Sequence, residues 1–169
     1  MADVWRTLAR WRVPSGYVLA VAVLWFARPT WTSLAIGALV GAIGEGIRIW
    51  AAGHLEKGRE VTTSGPYAMT RHPLYLGSTV MGAGFAIAAH SVIVAVLVFA
   101  YLAVTILAAV RSEEAHLTEK FGTAYPDYRE GRRGGARRRF RFARAMRNRE
   151  YRAILGLLTA IAFLAWKSR

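Results

Sequence analysis

The chain has 169 residues, 54% of them hydrophobic, with a net charge of +13 and no cysteine. That length suits one domain, and the missing thiols exclude disulfides, thiolate nucleophiles and cysteine-held metals. Apolar residues gathered in runs almost free of charge, beside so large a net charge, exclude an ordinary soluble domain and point to a bilayer.

Five apolar segments follow in chain order: Val13 to Ala27, Thr30 to Gly53, Leu74 to Ala89, Ser91 to Val110, and Tyr151 to Trp166. The expected fold is all-α, an integral membrane helical bundle with about five transmembrane helices. A hydrocarbon core of about 30 Å asks for about 20 helical residues. The second and fourth segments meet that easily. The others are short and need interfacial tryptophans or local thinning to span. The first segment starts basic, with Arg6, Arg10 and Arg12, like a signal peptide. No small-x-small cleavage site precedes a polar region, so it reads as a retained first span.

Lysine and arginine alternate between connections. The N-terminal tail, the 53–73 loop (Lys57, Arg59, Arg71) and the 111–150 segment are basic, while the connection at His90-Ser91 carries no charge. Positive charge favours the cytoplasm, so the N-terminus is expected there. The last segment then either spans or lies in the interface. Arg129 to Arg152 holds eleven arginines in 24 residues. Lying between two apolar segments, it reads as an anchor to anionic headgroups rather than a nucleic-acid site. Membrane lipids are expected partners; nucleic acid and metal are not.

The third and fourth segments, joined by almost no loop, predict an antiparallel hairpin. The start of the third, Arg71-His72-Pro73-Leu74-Tyr75, then meets the end of the fourth, Arg111-Ser112-Glu113-Glu114. Each cluster alone could be interfacial decoration. Two acidic residues facing an Arg-His pair suggest a polar ligand site, since such sites gather a few convergent polar groups. In the second segment Glu45 and Arg48 share one helical face with Gly37 and Gly41, a small-xxx-small face that turns inward. They are candidate groups for a substrate headgroup, or a structural ion pair.

These residues resemble the isoprenylcysteine carboxyl methyltransferase superfamily, of which phospholipid N-methyltransferases share a weaker form. The first block is Arg48-Ile49-Trp50-Ala51, His54-Leu55, Thr63-Ser64-Gly65-Pro66-Tyr67 and Arg71-His72-Pro73-Leu74-Tyr75-Leu76-Gly77. The second is Glu113-Glu114, Leu117, Phe121-Gly122, Tyr125 and Tyr128. The resemblance covers about residues 44 to 130, the motif core of a single methyltransferase domain over 1–169. It is followed by the basic segment 129–152 and an apolar helix over 151–166. The resemblance implies S-adenosyl-L-methionine held at the cytoplasmic face. Tyr67, His72, Pro73, Leu74, Tyr75, Glu113 and Glu114 would contact it, and the loop Arg59, Glu60, Val61, Thr62 would cover it. Methyl transfer relies on alignment and desolvation more than on a strong base. Ala109 stands where the eukaryotic carboxyl methyltransferases carry an arginine for the substrate carboxylate. The expected acceptor is an amphiphilic small molecule entering from the bilayer. An NADPH-dependent membrane reductase of similar architecture and a non-catalytic membrane adaptor are the competing readings.

Overall fold

A computed structural model describes residues 16, 20–23, 25–131 and 138–169. Six helices can be delimited: α1 (Trp31–His54), α2 (Pro73–Ala89), α3 (Val92–Phe121), α4 (Ala124–Arg129), α5 (Phe142–Arg147) and α6 (Tyr151–Lys167). A 3₁₀ turn covers Gly65–Ala68. Residues 16, 20–23, 25 and 26 are also helical; the rest of the expected first span at 13–15, 17–19 and 24 lies outside the described residues. Among the described residues there is no strand. Among the described residues two helices are long and apolar enough to cross a membrane, α1 with 24 residues and α3 with 30.

α1 starts on a capping box. Ser33 N–H donates to Thr30 Oγ1 at 3.1 Å and Thr30 N–H to Ser33 Oγ at 3.0 Å, satisfying donors that the first turn leaves open. At its other end the open carbonyls are taken by side chains from far along the chain. Arg144 Nη1 donates to Gly53 O at 2.7 Å, and Asn148 Nδ2 to Ala52 O and Leu55 O, both at 2.9 Å. The segment 138–150 is therefore bound to the end of α1 rather than serving only as a cationic run.

Small residues decide the α1–α2 contact. A Cβ on Gly44 would stand 2.5 Å from Met81 N and 2.8 Å from Gly77 O; one on Gly84 would meet the backbone of Gly37 and Gly41. The two backbones touch, as membrane helices do through small residues where apolar burial gives little. Outside the bundle the pattern inverts. Trp25, Leu39, Val92, Val96, Leu107, Leu155 and Trp166 are exposed, while Glu45, Arg144 and Glu150 are buried. Water would penalise that surface heavily, whereas lipid would not. Gly84→Val has no room to shift, because the opposing atoms are backbone. The expected result is loss of the monodisperse folded species in detergent, or a thermal midpoint lower by several degrees, consistent with an overpacking cost of about 1–3 kcal/mol. An unchanged midpoint would mean that the helices can separate freely.

The α2–α3 hairpin turns on two residues. His90 adopts a left-handed backbone (φ 48°), and Ser91 caps α3 by accepting from Val94 N–H at 3.5 Å. α3 then continues well past Val110, so Glu113 and Glu114 lie on a continuous helix rather than in the connection after it.

Glu56, just beyond α1, gathers the basic segment. It accepts from Arg144 Nε at 2.7 Å and Arg147 Nη2 at 3.1 Å. Glu60 accepts from Arg138 at 2.6 and 2.7 Å. Burial works to raise the Glu56 carboxyl, but the Arg144 hydrogen bond and the charges of Arg147, Arg144 and Arg138 outweigh it and hold it below 4.5. Glu60 is lowered chiefly by its bond to Arg138. A depressed carboxylate stabilises above its unfolded value and loses that contribution as pH falls through the folded one. Acidification below the ordinary carboxylate range is therefore expected to release residues 138–150, read as lost amide protection in hydrogen exchange. Protection that persists would show that the backbone bond from Arg141 N–H to Gly53 O is enough to hold the segment.

Candidate functional site

The hairpin brings the start of α2 against the end of α3. Pro73 occupies the first turn of α2, where its missing N–H costs nothing, and His72 precedes it as the N-cap residue. Opposite them, one carboxylate oxygen, Glu114 Oε1, receives three donors. His72 Nε2 lies at 3.1 Å, Arg71 Nη1 at 3.3 Å and Tyr125 Oη at 3.1 Å. An ionised carboxylate only accepts, so the His72 Nε2 proton points at Glu114.

Tyr125 reaches this oxygen because the chain reverses after α3. Gly122 (φ 54°) ends the helix in a conformation that side chains disfavour, and α4 folds back beneath it. The same reversal sends Tyr128 Oη to Tyr67 O, at 2.5 Å. The spacing from Glu114 through Phe121-Gly122 to Tyr125 and Tyr128 is thus a geometric unit: helix, glycine turn, two phenols returned to the site.

Tyr67 is buried in the 3₁₀ turn. Burial raises its phenol pKa, and the nearby Glu113 charge raises it further. The Glu113 side chain is exposed and makes no hydrogen bond or ion pair among the described residues. Beside Tyr67's turn, Ser64 Oγ is buried without a hydrogen-bond partner among the described residues. Tyr75 places its ring 5.8 Å from that of His72.

A second cluster lies one turn further along α2. Arg48 donates to Glu150 through Nε (3.1 Å) and Nη2 (2.8 and 2.9 Å), and through Nη1 to Ser78 Oγ at 2.6 Å and Leu74 O at 3.5 Å. Glu45 is 5% exposed. Its oxygens have no hydrogen-bond partner among the described residues; Arg48 Nε is 3.7 Å away.

The structure therefore joins His72 directly to Glu114 and sets Tyr67, Pro73, Leu74, Tyr75 and Glu113 around them. In the loop 59–62, Glu60 pairs with Arg138, Thr62 Oγ1 accepts from Glu56 N–H at 3.2 Å, and Arg59 lines a pocket with Arg147. Arg48, expected to face a substrate headgroup, is committed to Glu150 instead. Glu150 escaped the sequence reading. Its one signal is that it is the sole acidic residue after Glu130, placed just before an apolar helix.

The phospholipid methyltransferase family matches residues 16–124, nearly two-thirds of the chain and all of the hairpin. The chain belongs to that family. It lies within the isoprenylcysteine and phospholipid methyltransferase superfamily, a membrane-associated group. Among curated proteins, it is 32% identical over 128 residues to the nickel-cobalt-cadmium resistance protein NccN of Alcaligenes xylosoxydans, covering 70% of this chain and 58% of that protein. It is 33% identical over 129 residues to the cobalt-zinc-cadmium resistance protein CzcN of Cupriavidus metallidurans, covering 71% and 57%. The chain thus spans less than three-fifths of the length of these relatives. No solved structure matches it significantly. The family match ends before α5 and α6, so Glu150 comes from outside the matched region.

Proposed function

We propose that this phospholipid methyltransferase family member transfers a methyl group from S-adenosyl-L-methionine to an amphiphilic acceptor at the cytoplasmic membrane face. The observation that carries the reading is Glu113, an exposed carboxylate with no ion pair among the described residues, beside buried Tyr67 and the three-donor Glu114. The residues fit the group. Its ammonium and sulfonium are cations that Glu113 complements, and Ser64 Oγ offers an unused hydrogen-bonding atom close by. When bound, that cofactor would supply an electrophilic methyl group.

The chain's own residues do the rest. Glu114 holds His72 and Tyr125 in place, so that Tyr67, His72, Pro73, Leu74 and Tyr75 form one wall. Of the loop 59–62, Val61 and Thr62 enclose the site, while Arg59 and Glu60 turn to the basic segment. The acceptor headgroup meets Glu45 rather than Arg48, whose N–H groups are already used. Two buried carboxylates share one guanidinium there, so a cationic or proton-donating headgroup such as an amine complements the remaining charge. Glu45 then accepts the proton that the nucleophile releases. The acceptor's tail lies along the apolar bundle, each buried methylene contributing about 0.8 kcal/mol.

In this reading about five helices span and the N-terminus is cytoplasmic. The 17-residue helices α2 and α6 rise about 26 Å, enough with slight thinning of the bilayer. The decisive experiment titrates the purified protein with S-adenosylhomocysteine and, separately, with NADPH. Binding of the first alone supports methyl transfer. Binding of NADPH alone would make the protein a reductase, and binding of neither an adaptor.

A further inference from the structure

Independently of methyl transfer, we infer a pocket for a phosphate monoester group at the turn that follows α1. Glu56 to Arg59 form a tight turn closed by Arg59 N–H to Glu56 O at 3.2 Å. Gly58, at φ +75°, occupies the position where other residues are strained, and Lys57 and Arg59 flank it. These two cations, with Glu56, Arg147 and Asn148, line a cavity of about 260 Å³. A fourth cation borders the turn: the Lys120 ammonium stands 3.4 Å from where a Cβ on Gly58 would be.

The charges do not balance internally. Glu56 is occupied by Arg144 and Arg147, and Glu60 by Arg138. The Lys57 and Arg59 side chains are exposed and make no hydrogen bond or ion pair among the described residues. Asn148 spends its amide N–H groups on Ala52 O and Leu55 O, which fixes the wall on which Arg147 stands. Arg147 is partly neutralised by Glu56, while Lys57 and Arg59, held together by the turn and unpaired among the described residues, repel each other and Arg147 until an anion arrives. A phosphate monoester supplies up to two charges and several oxygens, which suit a lysine point charge and the arginine forks beside it. Lys57 follows the end of α1 by three residues. With α1 spanning, the pocket opens at headgroup depth, where an anionic lipid offers this group and a solute phosphate can also reach it.

The test is calorimetric titration of the full chain in detergent with inorganic phosphate, dioctanoyl phosphatidic acid and dioctanoyl phosphatidylcholine. Phosphatidic acid is expected to bind at least ~10-fold more tightly than phosphatidylcholine, and Lys57→Gln with Arg59→Gln to weaken it at least ~10-fold. Removing the same charge elsewhere on the basic segment, by Arg141→Gln with Arg152→Gln, should cost under about 3-fold. If the paired variant fails to keep its thermal midpoint, Lys57→Gln alone should show a smaller loss of the same sign. Inorganic phosphate binding as tightly as the short-chain lipid supports the pocket with a solute as its source. Much tighter lipid binding supports it with a headgroup as its source. Absence of binding, or equal losses in the two paired variants, would overturn the pocket in favour of diffuse attraction. S-adenosylhomocysteine affinity reads the methyltransferase site separately, so either proposal can fail alone.

Discussion

Glu150→Ala is expected to lower the thermal midpoint of the detergent-solubilised protein by roughly 10 °C. The carboxylate is almost fully buried and takes three hydrogen bonds from Arg48. Without it, the guanidinium keeps Ser78 and Leu74 O but loses its charge partner inside the bundle. Removing one member of such a pair costs about 3–5 kcal/mol, much of it the uncompensated charge. At about 2–4 °C per kcal/mol for a chain of this size, the shift is large. Glu45 gives little relief, because its carboxylate lies 3.7 Å from Nε and makes no hydrogen bond among the described residues. The paired replacement Arg48→Met with Glu150→Leu should destabilise less than Glu150→Ala alone, since it removes the charge together with its partner. A midpoint within about 2 °C of the parent for Glu150→Ala would show that lipid or water reaches Arg48 and replaces the carboxylate.

The second large effect is on ligand affinity. Glu113→Gln is expected to weaken S-adenosylhomocysteine at least tenfold, about 1.4 kcal/mol, while leaving the thermal midpoint of the free protein unchanged. The Glu113 side chain makes no hydrogen bond or ion pair among the described residues, so removing its charge breaks no contact among them. Glu114→Gln should behave differently. It loses the charge that holds Arg71, His72 and Tyr125, so affinity and stability are expected to fall together. The two neighbouring substitutions thereby separate a ligand-facing carboxylate from an organising one. Unchanged affinity in Glu113→Gln would remove the observation on which the proposed activity chiefly stands.

Much of this site is legible in the chain itself. Two residues between α2 and α3 force a hairpin, so any polar groups at the outer ends of those segments must converge. His72 must therefore lie near the acidic pair. The bounds of the second, third and fifth segments follow from hydropathy, and the α1 glycines announce the inward face that also carries Glu45 and Arg48. What hydropathy could not place was the end of α3: the helix runs on through polar residues because intrahelical hydrogen bonds do not require an apolar sequence.

Only the tertiary structure decided which of two adjacent carboxylates meets His72. Neighbouring helical residues point about 100° apart, and the rotation of α3 about its axis is set by packing against α2. That rotation turns Glu114 inward and leaves Glu113 outside. The same limit applies to Arg48. Sequence identifies a charge inside a membrane helix, which must find a partner, and Glu45 at i−3 is the nearest local choice. The partner found is Glu150, 102 residues away, because α6 packs against α1 and α2 and brings its first turn to that depth. Local spacing determines which groups need partners; the docking of distant helices determines which partners they receive.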